Sequence, residues 1–199
     1  MNRPEMRLTE RIEDELRFFK TWAASPRTMG AVTPSSRAYA RRMLELAQPD
    51  PSRFVLETGA GTGVVTEVLI DSGFPRDKIV SIEFESEFCR LLEKRFPDIN
   101  LIQGDAFDLD TTLGEHRDTK FGAILSGVPL LTAPKAKRLR YIEDLLARLA
   151  PGGVVTQLSY SLVPPVPEVP GRFTVDKSKW VTFNLPPARV WVYRPVVAG

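Results

Sequence analysis

One cysteine and one histidine stand in 199 residues. A lone thiol, Cys89, forms no internal disulfide and fits a reducing compartment. It sits in a helical run with Phe88, Leu91 and Leu92, where packing is its expected use. His116 lies in the polar linker Thr111 to Lys120, so neither a zinc nor a haem site has a ligand set and no metal is expected. Charge is nearly balanced: 27 Lys+Arg against 25 Asp+Glu give a formal +2 and a pI of ≈ 8.8. That excess is too small to imply nucleic acid. Long apolar runs are missing too. None reaches membrane-spanning length without a charge or a proline. The first residues carry Arg3, Glu5 and Arg7 where a secretory leader would have an apolar core, so no leader is expected. No internal repeat is visible. What remains is an ordinary globular composition, 43% hydrophobic and 26% charged, with chain enough for one good core.

The most informative stretch is Phe54-Val55-Leu56-Glu57-Thr58-Gly59-Ala60-Gly61-Thr62-Gly63. A short apolar run reads as a buried strand, breaks into glycines at alternate positions and feeds a helical pattern at Val64, Val65, Val68 and Leu69. Such a turn lets a ligand press on bare backbone beside the positive end of a helix. The glycines are spaced G-x-G-x-G, not the G-x-G-x-x-G of dinucleotide sites. Glu57 would repel a pyrophosphate and suits a cationic or amine-bearing cofactor. Next comes Lys78-Ile79-Val80-Ser81-Ile82-Glu83, a strand closing on an acid about twenty residues past the loop, where a doubly wound fold places the carboxylate for ribose hydroxyls. Glu85 reads as a charge at the mouth of a helix. Gly104-Asp105-Ala106-Phe107 then follows the apolar Leu101-Ile102.

Walking the chain gives strand Phe54–Thr58, helix Gly63–Ser72, strand Lys78–Glu83, helix Ser86–Arg95 and strand Asn100–Gln103. Strand Phe121–Ser126, a helix from about Ala133 to Leu149 and strand Val154–Ser161 follow, the last entered through the turn Pro151-Gly152-Gly153. The proline-rich Val163 to Gly171 must be a loop. Two further strand-like runs, Lys179–Asn184 and Ala188–Tyr193, close the chain. This is an α/β alternation. Before it, Leu8, Ile12, Leu16, Phe19 and Trp22 fall on one face of a helix over Glu5 to Trp22, at about 100° per residue. Arg7, Arg11, Arg17 and Lys20 flank it, mixed with Glu10, Glu13 and Asp14. That helix suits a membrane headgroup layer, or it covers a sheet.

Glu57 through Gly63 resembles the first motif of class I S-adenosylmethionine-dependent methyltransferases. Ser25 to Ser36, Val55–Leu69, Ser126-Gly127-Val128-Pro129-Leu130-Leu131 and Asn184-Leu185-Pro186-Pro187-Ala188-Arg189-Val190-Trp191 together resemble the bacterial phospholipid N-methyltransferases. These are soluble, peripheral enzymes that methylate phosphatidylethanolamine stepwise to phosphatidylcholine. The resemblance runs from about Phe18 to Arg194. It implies a Rossmann-like fold with a seven-stranded, mostly parallel sheet, an antiparallel last strand and an N-terminal amphipathic helix. Residues 1–48 would be the membrane-binding helix and cofactor lid, and residues 49–199 the catalytic core. The implied cofactor is S-adenosyl-L-methionine, which would leave as S-adenosyl-L-homocysteine. Glu57, Gly59, Ala60, Gly61, Gly63, Glu83, Phe84, Asp105, Ala106 and Ser126 are the implied cofactor-side positions. Asp105 is the acid for the adenine amino group.

Thr33 and Ser36 belong to the lid, though Thr33-Pro34 is equally an ordinary helix start. By the same resemblance, Ser126 and the Gly127 carbonyl would face the acceptor amine. Tyr160 and Tyr39 are candidates to hold a methylated ammonium by cation–π attraction. Lys135, Lys137, Arg138 and Arg140 either meet the lipid phosphate or form a solvated helix face. Val163, Val166 and Val169 would flank the acyl-chain entry. Expected partners are phosphatidylethanolamine and anionic phospholipids, without nucleic acid, at the inner face of the cytoplasmic membrane. Ribosomal RNA adenine dimethyltransferases share the first two motifs but carry an Asn-Leu-Pro-Tyr type tetrapeptide after the fourth strand. Gly127-Val128-Pro129-Leu130 lacks its amide and its stacking ring. A non-catalytic, cofactor-binding protein that remodels membranes is the other alternative.

Overall fold

A computed structural model describes residues 34–181 and 188–196. The N-terminal helix of the sequence reading and Thr33 lie outside them. Seven strands form one sheet: β1 (Val55–Thr58), β2 (Ile79–Glu83), β3 (Asn100–Gln103), β4 (Phe121–Ser126), β5 (Leu149–Ser159), β6 (Phe173–Lys177) and β7 (Arg189–Pro195). Their order is β3-β2-β1-β4-β5-β7-β6. The first five pair in parallel, and β7 runs antiparallel to both β5 and β6. The expected mostly parallel, seven-stranded sheet is observed.

Every residue of β1 and β2 is buried, as it must be for central strands covered on both faces. Among the described residues five helices do the covering: α1 (Pro34–Ala47), α2 (Val64–Asp71), α3 (Ser86–Arg95), the single turn α4 (Leu109–Thr112) and α5 (Lys135–Ala147). Alternation along each strand divides the core into two layers. Leu56, Ile82, Ile124, Val155, Trp191 and Tyr193 join Tyr141, Ile142 and Leu145 of α5. Val55, Ile79, Leu125, Val154 and Val192 join Val64, Val65 and Val68 of α2, with Ala40 and Met43 of α1. The helix over residues 34–47 is therefore packed into the same core as the strands. Arg37 ties it to Glu67 and Asp71 of α2, and Arg95 of α3 pairs with Glu67 while donating to the Thr62 carbonyl.

Two strand boundaries and one residue placement need correction. β6 is Phe173–Lys177, a strand the sequence did not mark, and of the run Lys179–Asn184 the described residues Lys179 and Trp180 lie outside any strand. Phe173 is buried in the core while Thr174 and Asp176 face out, an alternation hidden behind the prolines. Val181 makes only an isolated bridge to Ala188, and residues 182–187 lie outside the described ones. β5 starts at Leu149 because Leu149 pairs with Phe121 across a register shift, so Pro151-Gly152-Gly153 is a bulge within the strand. Of the valines placed at an acyl-chain entry, Val166 is buried in the core. Its N–H donates to the Tyr193 hydroxyl, and that hydroxyl donates to the Val166 carbonyl. Val169 packs against the same core. Leu162 and Val163 are the exposed pair, at 52% and 53%. Among the described residues no helix is long and apolar enough to cross a membrane.

Candidate active site

The site forms where β1, β2, β4 and β5 end, on the carboxyl edge that open α/β sheets use for ligands. The chain leaves β1 through Gly59, Gly61 and Gly63, all at positive φ (70°, 56° and 82°). At Gly63 the requirement is double: the φ is left-handed, and a Cβ would stand 2.6 Å from Leu92 Cδ2 and Phe96 Cε2 of the α3 end. Gly59 N–H and Ala60 N–H both donate to the Ile82 carbonyl, and Gly127 N–H donates to the Thr58 carbonyl. The two strand ends touch so closely that a Cβ on Gly127 would lie 2.9 Å from the Gly59 oxygen.

Two carboxylates sit beneath this loop. Glu83 is buried; its Oε2 accepts from Gly61 N–H at 2.7 Å and its Oε1 from Glu85 N–H at 2.9 Å. Phe84 beside it is 65% exposed, an open aromatic face at the rim. Glu57 is fully enclosed. Its Oε1 accepts from Thr66 N–H at 3.3 Å, and its Oε2 accepts from the hydroxyls of Thr66 and Ser81. Burial pushes its pKa up to about 7; the bonds from Thr66 and Ser81 oppose that rise, and repulsion from Glu83 adds to it. Glu57 thereby pins the start of α2 to β1 and β2. Asp105 caps its own turn, Oδ1 accepting from Phe107 N–H at 2.9 Å, and Ala106 is buried beside it.

The β4 side holds a feature absent from the sequence reading. Tyr141 of α5 places its hydroxyl 2.7 Å from Thr58 Oγ1 and 2.8 Å from Ser126 Oγ. Thr58 and Ser126 are register partners at the ends of β1 and β4 and are fully buried. Burial pushes the Tyr141 pKa up to about 12 against those two bonds. Ser126 thus faces the core and holds the strand ends together, while the half-exposed Gly127 backbone beyond it faces the site. The signal was present: two hydroxyls closing otherwise apolar strands.

Tyr39 of α1 lies within electrostatic reach of Tyr160, beyond β5, and of Glu57. Burial raises the Tyr39 pKa first, and repulsion from Tyr160 and Glu57 raises it further, so Tyr39 stays a neutral phenol at working pH. Ser36 lies in the first turn of α1. In the basic cluster, Arg138 is used inside the chain, donating to the Ala133 and Leu131 carbonyls at 2.7 and 2.8 Å. Lys137 Nζ sits 4.1 Å over the Phe107 ring. Gln157 of β5, also unforeseen, is fully buried and donates through Nε2 to the Val128 carbonyl at 2.9 Å. Among the described residues no cluster of three potential metal ligands occurs.

The methyltransferase domain family matches residues 55–153. An ornithine lipid N-methyltransferase of Singulisphaera acidiphila is 30% identical over 188 residues, which are 90% of this chain and 93% of that protein. The chain belongs to the lipid N-methyltransferases. It is an S-adenosylmethionine-dependent methyltransferase, and the residues above suit that cofactor. Left-handed glycines leave backbone bare, a buried carboxylate underlies them, and acidic Glu57 and Glu83 with exposed Phe84 match a cationic, adenine-bearing ligand better than a pyrophosphate.

Among solved structures, the Burkholderia thailandensis 1,6-didemethyltoxoflavin-N1-methyltransferase with bound S-adenosylhomocysteine shares the lipid methyltransferase's fold. It superposes with a TM-score of 0.65 at 16% identity, over 99% of this chain and 94% of its own. A ribosomal RNA small subunit methyltransferase A from Synechococcus is 35% identical over 92 residues, 45% of this chain and 29% of that protein.

Proposed function

We propose that this lipid N-methyltransferase transfers methyl groups to the headgroup amine of phosphatidylethanolamine and its partly methylated forms, at a membrane surface. The observation that carries the reading against a nucleobase is Leu130. At the position where RNA adenine enzymes present a stacking ring, it is 2% exposed and packed in the core, so no flipped base can rest on it. The lipid half comes from the relative that matches along nearly the whole length. Its name favours a second acceptor, the amine of an ornithine lipid.

Bound S-adenosylmethionine supplies an electrophilic methyl on a sulfonium. The amine nitrogen forms the N–C bond as the S–C bond breaks, and that electron pair stays on sulfur. The chain's part is positioning, which offers up to roughly 7–11 kcal/mol. Glu57, Glu83 and the glycine turn fix the cofactor side. A primary amine with a pKa of about 10.4 must shed a proton before it attacks. Taking it out of water lowers that pKa, and the Gly127 carbonyl offers an acceptor for a remaining N–H. Tyr39, neutral and partly buried, offers a ring face to the cationic product, worth about 0.5–2 kcal/mol. The amphipathic segment 5–22 would dock on anionic lipid at the inner face of the cytoplasmic membrane. Exposed Leu162 and Val163, two and three residues after Tyr160, would then meet the lipid near the acceptor end.

Labelled methyl transfer into vesicles of phosphatidylethanolamine or ornithine lipid, resolved by thin-layer chromatography, tests the reading. Label in phosphatidylethanolamine derivatives supports it. Label in ornithine lipid alone moves the assignment to the second acceptor, and label in neither lipid removes it.

A further inference from the structure

Three side chains at the acceptor end of the sheet bury polar atoms that the fold leaves unsatisfied. Both amide hydrogens of Gln157 are used, because Nε2 donates to the Val128 carbonyl at 2.9 Å and the Leu158 carbonyl at 2.7 Å. Those two carbonyls fix which end of the amide is nitrogen. The end left over is an acceptor, and Gln157 Oε1 is buried without a partner. So are Trp191 Nε1 and Arg189 Nε.

These atoms converge by register. β5 and β7 pair Gln157 with Trp191 and Ser159 with Arg189, and β4 pairs Ser126 with Gln157. Val155, Trp191 and Tyr193 belong to one core layer, so by alternation Gln157, Ser159, Arg189 and Trp191 share that face. The Arg189 guanidinium stands 4.2 Å from the Trp180 ring centroid and 5.6 Å from that of Trp191. Among the described residues no carboxylate pairs with it. A buried unsatisfied polar atom costs about 1–3 kcal/mol, and three together near the carboxyl end of β5 call for a ligand that completes them.

We propose that Gln157, Trp191 and Arg189 form the headgroup subsite for the acceptor. Gln157 Oε1 accepts an N–H of the amine, and Arg189 with Trp191 Nε1 holds the headgroup's anion. The inference rests on the lipid reading above and deepens it. The loop after β4 has no side-chain amide of its own; Gln157, docked on the Val128 carbonyl, delivers one from the neighbouring strand. The ligand chemistry is a zwitterion, an amine a few bonds from an anion, with phosphate in phosphatidylethanolamine or carboxylate in an ornithine lipid. A trimethylated nitrogen has no N–H to give Gln157, so the finished product is the form this subsite holds least well.

The test uses the full chain loaded with S-adenosylhomocysteine and titrates two soluble probes by calorimetry, glycerophosphoethanolamine and Nα-acetylornithine. The wild type binds at least one, and the tighter probe identifies the anion. R189Q and Q157L each weaken it by about tenfold or more, the loss expected for a charge-assisted hydrogen bond. Glycerol phosphate, which lacks the amine, loses affinity in R189Q but not in Q157L. In vesicle assays R189Q raises the KM for lipid, R189K restores part of it, and S-adenosylhomocysteine affinity is unchanged in all variants.

Wild-type binding of neither probe overturns the subsite. So does probe binding in R189Q and Q157L equal to wild type, the outcome expected if a water simply fills the gap at Oε1. If Q157L does not fold, R189Q at the half-buried strand start decides alone. Probe binding that the variants weaken, with no lipid methylated by the wild type, would keep the subsite and remove the lipid reading. Normal lipid methylation by both variants would do the reverse.

Discussion

Replacing Glu57 by Gln swaps a titrating carboxyl for a neutral group of the same shape, in a place where burial has moved the titration. The Glu57 pKa rises from 4.5 to about 7, a shift of roughly 2.5 units, or about 3 kcal/mol at about 1.4 kcal/mol per unit. A carboxyl whose folded pKa lies above its unfolded value is held protonated by the fold. Below about pH 4.5 both states are protonated and the shift costs nothing; stability is lost as pH rises from about 4.5 to about 7, and above that the ionised group costs the fold about 3 kcal/mol. The groups facing it are the donors Thr66 and Ser81, with Glu83 and Tyr39 as further neighbours. Gln at this position cannot ionise. Urea unfolding of wild type and E57Q from about pH 5 to about pH 8 isolates the carboxyl, because every other titration cancels in the difference. The difference should move in favour of E57Q by about 2–3 kcal/mol across that range, most steeply between about pH 5 and pH 6.5 and levelling off above about pH 7. A difference flat to within about 0.5 kcal/mol, allowing for the scatter of such pairs, would refute the buried, proton-holding environment.

Four other outcomes follow from the same geometry. G63A should be destabilised by about 2–4 kcal/mol in thermal melts, from left-handed strain and the clash with Leu92 and Phe96. Y141F, which strips the bridge between Thr58 and Ser126, should lose about 1–3 kcal/mol of stability in urea. E83A and G61V should each weaken S-adenosylmethionine in calorimetry by about tenfold, 1.4 kcal/mol, while staying folded; undiminished affinity in both would remove these residues from the cofactor site. Glu at both Phe19 and Trp22 should release the protein from phosphatidylglycerol vesicles in flotation without changing cofactor affinity, and salt should weaken wild-type binding, screened over about 8 Å.

Much of the sheet was legible because central parallel strands are short apolar runs between glycines and acids. Asn100–Gln103, Phe121–Ser126 and the helix Ser86–Arg95 fall on the residues that their pattern marks. The edge was not. Phe173–Lys177 alternates only twice and follows a proline-rich loop, so its pairing depends on β7, a non-local partner. Within the site, glycines and acids announce themselves by spacing. Tyr141 and Gln157 do not: Tyr141 hides in the apolar stripe of α5, and Gln157 is one polar residue in a buried strand. Their meaning comes from what lies across the sheet, Thr58 and Ser126 in one case and Val128 in the other.

The strand order also sets a timetable for synthesis. β6 leaves the ribosome before β7 but lies outside it, with no strand to pair until residues 189–195 arrive. Until then β5 presents a bare edge, an invitation to pair with other chains. The last strand therefore closes the sheet, covers that edge and brings Arg189 and Trp191 beside Gln157 in one event. A nascent chain already able to form its glycine turn would still lack its far wall, so cofactor binding and acceptor recognition mature at different times, and shortening the chain within β7 should expose an aggregating edge while the glycine turn survives.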